Sequence, residues 1–238
     1  MNRVSNSGYL HGIKIVYEDS FWFVIDKPVG IMSQGGSQRL NNVVDVLTEY
    51  RQQKEGKSGR PFVAAVQRLD TNVSGVMVLA KRSKSANEFR EQLQAGEVIK
   101  MYVAVVPVVE GQNIAPQSWL NRGIKMDQQL KLYSYFERFT GPTLDCRLSI
   151  ESVRRGKQFQ LVFVRLLTGS FHQIRAQCAW RGMPIVGDQK YGSTVSVPRI
   201  MLHTHGVSFR LGPNEPPQTF KSEIPQEFKT LIIRSFKT

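Results

Sequence analysis

The chain has two cysteines in 238 residues, Cys146 and Cys178, far apart and outside any CxxC pair. That excludes a disulfide framework and a cysteine-rich zinc cluster, and makes a reducing cytoplasm the expected compartment. Long apolar runs are missing as well. The opening residues MNRVSNSGYLHG hold no signal-like core, and no stretch has the length that a bilayer-spanning helix needs. No membrane association is therefore expected. There are no internal repeats and no low-complexity segments. Acidic residues are in the minority, 19 against 32 Lys and Arg, which leaves a net charge of +13 and a pI near 10.0. Such an excess favours a polyanionic partner, nucleic acid ahead of an anionic membrane, although a generally basic, solvated surface gives the same totals. The remaining composition, 41% hydrophobic and 21% charged, is that of a folded soluble protein.

Hydrophobic periodicity gives a coarse map. Residues 13–27, IKIVYEDSFWFVIDK, read as two strands joined at Glu18-Asp19-Ser20, and residues 30–38 as a flexible loop. LNNVVDVLTEYRQQ (40–53) has helical spacing, with Val43, Val46, Leu47 and Tyr50 on one side. Strands are predicted over 62–66 and 75–81. Ser85 and Glu88 fit a capping box for a helix whose inner face carries Ala86, Phe89 and Leu93 and which Gly96 ends. KMYVAVVPVV (100–109) reads as a strand, while 111–135 has weak patterning. Two strands, about 144–153 and 158–167, bracket the turn Arg154-Arg155-Gly156-Lys157. A helix from about His172 to Arg181 is closed by Gly182 and Pro184. A strand over 199–210 and a last helix over about 225–236, with Phe228, Leu231, Ile232 and Phe236 on one face, complete the chain. Strands outnumber helices and several are hairpin-linked, so the expected class is α+β, a mixed, largely antiparallel sheet with flanking helices in a single domain over 1–238.

Three stretches concentrate chemistry. In VQRLDTNVSGVMVLAK, Asp70 stands between two apolar runs, where an unpaired carboxylate would be costly. A structural strand end looks the same on this stretch alone. In LLTGSFHQIRAQCAWRGMPIVGDQKYG, a strand ends at Thr168-Gly169-Ser170 and a helix begins with His172, Gln173 and Arg175 in its first turns. An arginine there opposes the helix dipole unless an anion is near, either phosphate or a carboxylate such as Asp70. In KMYVAVV, Lys100 and Tyr102 share one strand face, and a tyrosine so placed can stack on a base or move a proton. Other chemistries lack their patterns. Ser74 is not in GxSxG, His203 and His205 have no supporting ligand cluster for a metal, and GGSQ is not a phosphate loop.

Taken together, these stretches resemble the RluA family of RNA pseudouridine synthases. QRLDTNVSGVMVLAK resembles the family's HRLDxxTSGLLLLAK, KMYVAVV its KxYxAxV, and TGSFHQIRAQCAWRGMPIVGDQKYG its TGRTHQIRxHxAxxGxPIxGDxxYG. IDKPVGIMSQ resembles NKPxGxxxH and PRIMLHTHGVSFR resembles RxxLHAxxLxF, so that the likeness runs in order from about residue 13 to 210. It implies the pseudouridine synthase catalytic fold and conversion of a specific uridine in structured tRNA or rRNA, such as a stem-loop. Asp70 would be the catalytic aspartate, Arg175 its salt-bridge partner and Tyr102 the tyrosine against the target base. Arg68 would help displace the uridine, Leu202 would pack beneath the site, and His172 and Gln173 would bind substrate. The family uses neither cofactor nor metal, and a monomer without an accessory N-terminal RNA-binding domain is expected.

Four positions depart from the pattern. Gln67 replaces His, Val73 replaces Thr, and Ser170-Phe171 replaces Arg-Thr, which removes a phosphate or carboxylate contact at the helix start. A catalytically inactive RNA-binding protein of the same fold is the alternative, and it would make the joint retention of Asp70, Tyr102 and Arg175 accidental. A hydrolase would need a water-activating base or metal site that the sequence does not supply.

Overall fold

The computed structural model describes residues 9–10, 12–35, 42–56, 58–126, 129–134 and 143–234. In chain order the elements are β1 (Tyr9–Leu10), β2 (Ile13–Glu18), β3 (Trp22–Lys27), α1 (Val43–Glu55), β4 (Ala64–Ala65), β5 (Ser74–Ala80) and α2 (Ser83–Gln94). Then come β6 (Ile99–Pro107), β7 (Gln117–Met126), β8 (Gln129–Ser134), β9 (Leu144–Arg155), β10 (Phe159–Leu166) and α3 (Gln173–Trp180). The chain ends with β11 (Leu202–Phe209), β12 (Gln218–Lys221) and α4 (Gln226–Arg234). This is the expected α+β class, with a mixed, mostly antiparallel sheet. Among the described residues no helix is long and apolar enough to cross a membrane.

The chain divides into two compact units. The first comprises Met1–Ile99 and Thr204–Glu223, the second Lys100–His203 and Ile224–Thr238. In the first, the strand order is β1-β2-β3-β5-β11, with β12 paired to β11 and β4 to β5. Strand β3 runs antiparallel to β5 from Trp22 opposite Ala80 to Lys27 opposite Gly75. All seven residues of β5 are buried, as expected of a strand covered on both faces. Its core gathers Trp22, Val76, Val78, Phe89 and Phe209, and the Trp22 and Phe209 rings meet edge-on at 5.1 Å. The Trp22 indole donates to the Leu211 carbonyl at 2.9 Å, satisfying the one polar atom this ring brings inside. Helix α1 is tied to this unit by charge: Glu18, at the end of β2, accepts from Lys54 of α1 at 2.7 Å and from Lys81 at 2.9 Å.

In the second unit the order is β6-β10-β9-β7-β8. Strands β6 and β10 pair antiparallel from Phe159 opposite Pro107 to Leu166 opposite Lys100. Helix α3 lies against β8, with Leu132, Cys146 and Ala176 forming a small buried cluster. Arg199 fastens α4, reaching Glu227 at 3.3 Å while its guanidinium lies 5.3 Å from the Phe228 ring centre.

Several local expectations are corrected. Helix α2 begins three residues earlier than the capping-box reading requires: its N-cap is Arg82, without a side-chain cap, and Ser85 is buried in the first turn. Leu93 is exposed, and Gln92 takes the inward position, exchanging hydrogen bonds with the Arg210 backbone. The strand predicted over 62–66 shrinks to Ala64–Ala65, with a bend following at residues 66–67. The weakly patterned 111–135 stretch contains β7 and β8, and β12 follows the proline-rich segment. Leu40 and Phe236, each included in an expected helix, lie outside the described residues.

Candidate active site

Asp70 sits at the tip of a turn that joins β4 to β5. Its carbonyl accepts from the Val73 N–H at 3.0 Å, closing the turn over residues 70–73. The turn is clasped from upstream. Ser33 Oγ donates to the Leu69 carbonyl at 2.7 Å and accepts from the Leu69 N–H at 2.9 Å. The Gly30 N–H donates to the Thr71 carbonyl at 2.8 Å. Lys27, fully buried, spreads its ammonium over the carbonyls of Pro28, Ile31 and Thr71 at 3.0, 2.9 and 3.4 Å. Three carbonyl dipoles thus take up the donors of this buried cation. The residues on either side of Asp70 are thereby fixed, Asp70 itself is half-buried, and Arg68 is exposed.

Just beyond the turn, Gly75 has φ +117°, and a Cβ there would lie 2.2 Å from the Thr204 carbonyl oxygen. Only glycine permits this approach of β5 to β11. Gln67 donates to the Val76 carbonyl at 3.2 Å, while its side-chain oxygen is buried with no hydrogen-bond partner among the described residues.

The second unit carries the other expected residues. Tyr102 is buried in β6 opposite Val164. Arg175, on α3 and 5% exposed, makes a bidentate pair with the buried Asp188: Nε to Oδ2 at 2.6 Å and Nη2 to Oδ1 at 2.8 Å. The guanidinium also lies 5.1 Å from the Tyr191 ring centre. Asp188 is placed by Gly187, where a Cβ would fall 2.2 Å from the Arg199 carbonyl oxygen. Sequence reasoning gave Arg175 a single carboxylate, Asp70, and missed Asp188 and Tyr191. The stretch GDQKYG that supplies both was in plain view as part of the family pattern.

His172 caps α3 in the left-handed conformation at φ 53°, the one non-glycine residue with positive φ among those described. Such a residue costs about 1 kcal/mol or more, and here its surroundings hold it. Phe171 stacks on the imidazole at 3.7 Å, and Nδ1 lies 3.2 Å from the Tyr191 hydroxyl. Gln173 is turned inward. Its oxygen accepts from Thr168 Oγ1 at 2.8 Å and the Ser170 N–H at 3.1 Å, while its nitrogen donates to the Arg147 carbonyl and Gln177 Oε1, both at 3.1 Å. Leu202 is buried at the start of β11, its carbonyl accepting from Arg199 at 3.2 Å. Among the described residues no three His, Cys, Asp or Glu side chains are grouped to hold a metal ion.

A family model described as RNA pseudouridylate synthase matches residues 22–180. The chain belongs to the RNA pseudouridylate synthase family, as its motifs suggested. Its sequence is 29% identical over 208 residues to the ribosomal large subunit pseudouridine synthase C of Haemophilus ducreyi, covering 82% of this chain and 60% of that protein. The synthase D of Xanthomonas campestris is 30% identical over 198 residues, covering 79% of this chain and 54% of that protein. The chain thus spans little more than half the length of these relatives. In fold it is similar to human RNA pseudouridylate synthase domain containing 4, with a TM-score of 0.75 at 20% identity, covering 94% of this chain and 92% of that one.

Proposed function

We propose that this protein isomerises a uridine to pseudouridine in ribosomal RNA, with Asp70 as the catalytic carboxylate. The observation that carries the reading is the turn around Asp70. Five hydrogen bonds donated by Lys27, Gly30 and Ser33 reach the carbonyls of Pro28, Ile31, Leu69 and Thr71, the Leu69 N–H donates back to Ser33 Oγ, and the carboxylate is left half-buried at the tip. Rigid backbone under one reactive side chain suits a step that depends on orientation. The bond from uracil N1 to ribose C1′ breaks, the base turns, and C5 bonds to C1′. Asp70 acts on the ribose, either by attacking C1′ and being displaced when C5 bonds there, or by removing the 2′ proton to give a glycal and returning it to C2′ as C5 bonds to C1′. The C5 hydrogen then leaves as a proton, with Tyr102 as the acceptor. Arg175 orients the chemistry from a position that Asp188 fixes, and Gln173 shapes the 168–170 loop. Arg68, exposed beside the turn, is suited to fill the stack vacated by the extruded uridine, whose removal costs a few kcal/mol.

The relatives named for the ribosomal large subunit favour ribosomal over transfer RNA as the substrate. The test is tritium release from RNA labelled at uracil C5, which isomerisation produces and mere binding does not. Pseudouridine-specific sequencing of RNA from a deletion strain would then locate the uridine. An enzyme that releases no tritium from any cellular RNA would overturn the assignment.

A further inference from the structure

Lys100 is a buried cation that the reaction as described does not use. It is the second residue of β6, paired opposite Leu166 at the end of β10, and it is 7% exposed. Two residues along the same face stands Tyr102. From Leu166 the chain continues through Leu167, Thr168 and Gly169 towards α3, so this loop folds back over the lysine. The ammonium lies 3.3 Å from the point where a Cβ on Gly169 would stand.

No carboxylate or carbonyl within the described residues holds this ammonium, and burial alone pushes its pKa below the ordinary lysine value. The contrast with Lys27 is direct, since that buried lysine is met by three carbonyls. An unmatched buried ammonium is costly and gains most from an anion that arrives later. Gly169 is exposed and has no side chain, so the space beside the ammonium opens outward at its Cα. The loop itself offers no cation: the position after Gly169 is Ser170, where the family pattern has arginine.

We propose that Lys100 binds a phosphate oxygen of the target nucleotide, seated against the bare face of Gly169, and so holds that nucleotide beside Tyr102. The proposal rests on the RNA-isomerising reading above. Because the ammonium is buried, the phosphate meets it only when the nucleotide has been drawn in. General RNA affinity, spread over many surface cations, should therefore change little, while the rate on bound RNA should fall.

The experiment uses RNA from cells deleted for the gene and grown on uracil tritiated at C5. Single-turnover tritium release, filter retention of the same RNA and thermal melting are measured for wild type, Lys100→Met, Gly169→Ala and the double variant. Gly169 has no left-handed φ, so alanine is conformationally allowed and simply fills the proposed oxygen position. Both single variants should release tritium at least about tenfold more slowly, with retention within about twofold of wild type, because one contact among many is lost. The double variant should be no slower than the worse single one, since both remove the same contact. Lys100→Met should melt no lower than wild type, whereas a structural lysine would give a lower melting temperature. If it does melt lower, Gly169→Ala decides the matter. Full activity in either variant, or losses that multiply in the double, overturns the proposal while leaving the reaction intact. Silence of the wild type overturns the reaction and the proposal together.

Discussion

At the scale of single residues, Asp70 in the first unit and Asp188 in the second do different work. Asp70 is half-buried at a turn tip, and Asp188 is sealed behind Arg175. Asp70→Asn should lower tritium release by a thousandfold or more, on the order seen when a reacting group is removed. RNA retention should stay within a few-fold, because binding is spread over many cations; release by the purified variant within about a hundredfold of wild type would remove Asp70 from the chemistry. Arg175→Met should act on the fold first. It leaves the Asp188 carboxylate buried without its two guanidinium bonds, at a cost of about 3–5 kcal/mol. Denaturant unfolding should show that loss directly, and a variant of wild-type stability would mean that water or another donor takes over Asp188.

The elements show how a motif becomes a site. Ser33→Ala would leave the buried Leu69 N–H without its acceptor, costing about 1–3 kcal/mol, and would loosen the turn beside Asp70. A fall of about tenfold in tritium release with RNA retention unchanged is the expected result, and an unaltered rate would show that Lys27 and Gly30 suffice. At the end of β2, burial pushes the Glu18 carboxyl up, but hydrogen bonds and charge from Lys54 and Lys81 outweigh it and hold the pKa below the ordinary value. The contribution of Glu18 to stability is then full above the unfolded carboxyl pKa of about 4.3 and fades as pH falls through the lower folded value. Glu18→Gln should be less stable than wild type at neutral pH, with the gap narrowing only below about pH 4. Chemical unfolding across that range checks it, and a gap independent of pH would contradict the ion pair.

Such partnerships explain what could be read from the sequence. Strands β2, β3, β6, β9, β10 and β11 follow from local hydrophobic patterning and stand close to where it puts them. The motifs alone single out Asp70, Tyr102 and Arg175 as candidates. Lys27, Ser33 and Asp188 are not so marked, because what they do depends on partners far along the chain: Ser33 meets a backbone 36 residues away, and Arg175 meets a side chain 13 residues away. Strands β7 and β8 escaped notice because polar residues such as Asn121, Arg122 and Lys131 interrupt their alternation. The α2 cap failed for a simpler reason, since Ser85 is spent inside the first turn rather than before it.

At the scale of the whole molecule, the proposed reaction requires charge to set the grip on RNA. A +13 chain should hold its substrate through phosphate contacts, each adding about −0.7 to −0.9 to the slope of log affinity against log salt. Five or six contacts would give a slope of roughly −4 to −5. Filter binding over a range of potassium concentrations measures it, and a slope near −1 would mean that the basic surface faces something other than the RNA.

The fit of Gly75 against Thr204 also has a consequence for biosynthesis. The clasp residues Lys27, Gly30 and Ser33 leave the ribosome before the Asp70 turn does, so the turn can close as soon as it appears. Thr204 is translated well over a hundred residues after Gly75, a delay of about 10 s at ordinary elongation rates. Through that interval β5 lacks β11, the neighbour its glycine is shaped to receive, and part of one strand edge stays open. A nascent chain stalled in that window is where a chaperone would find this protein.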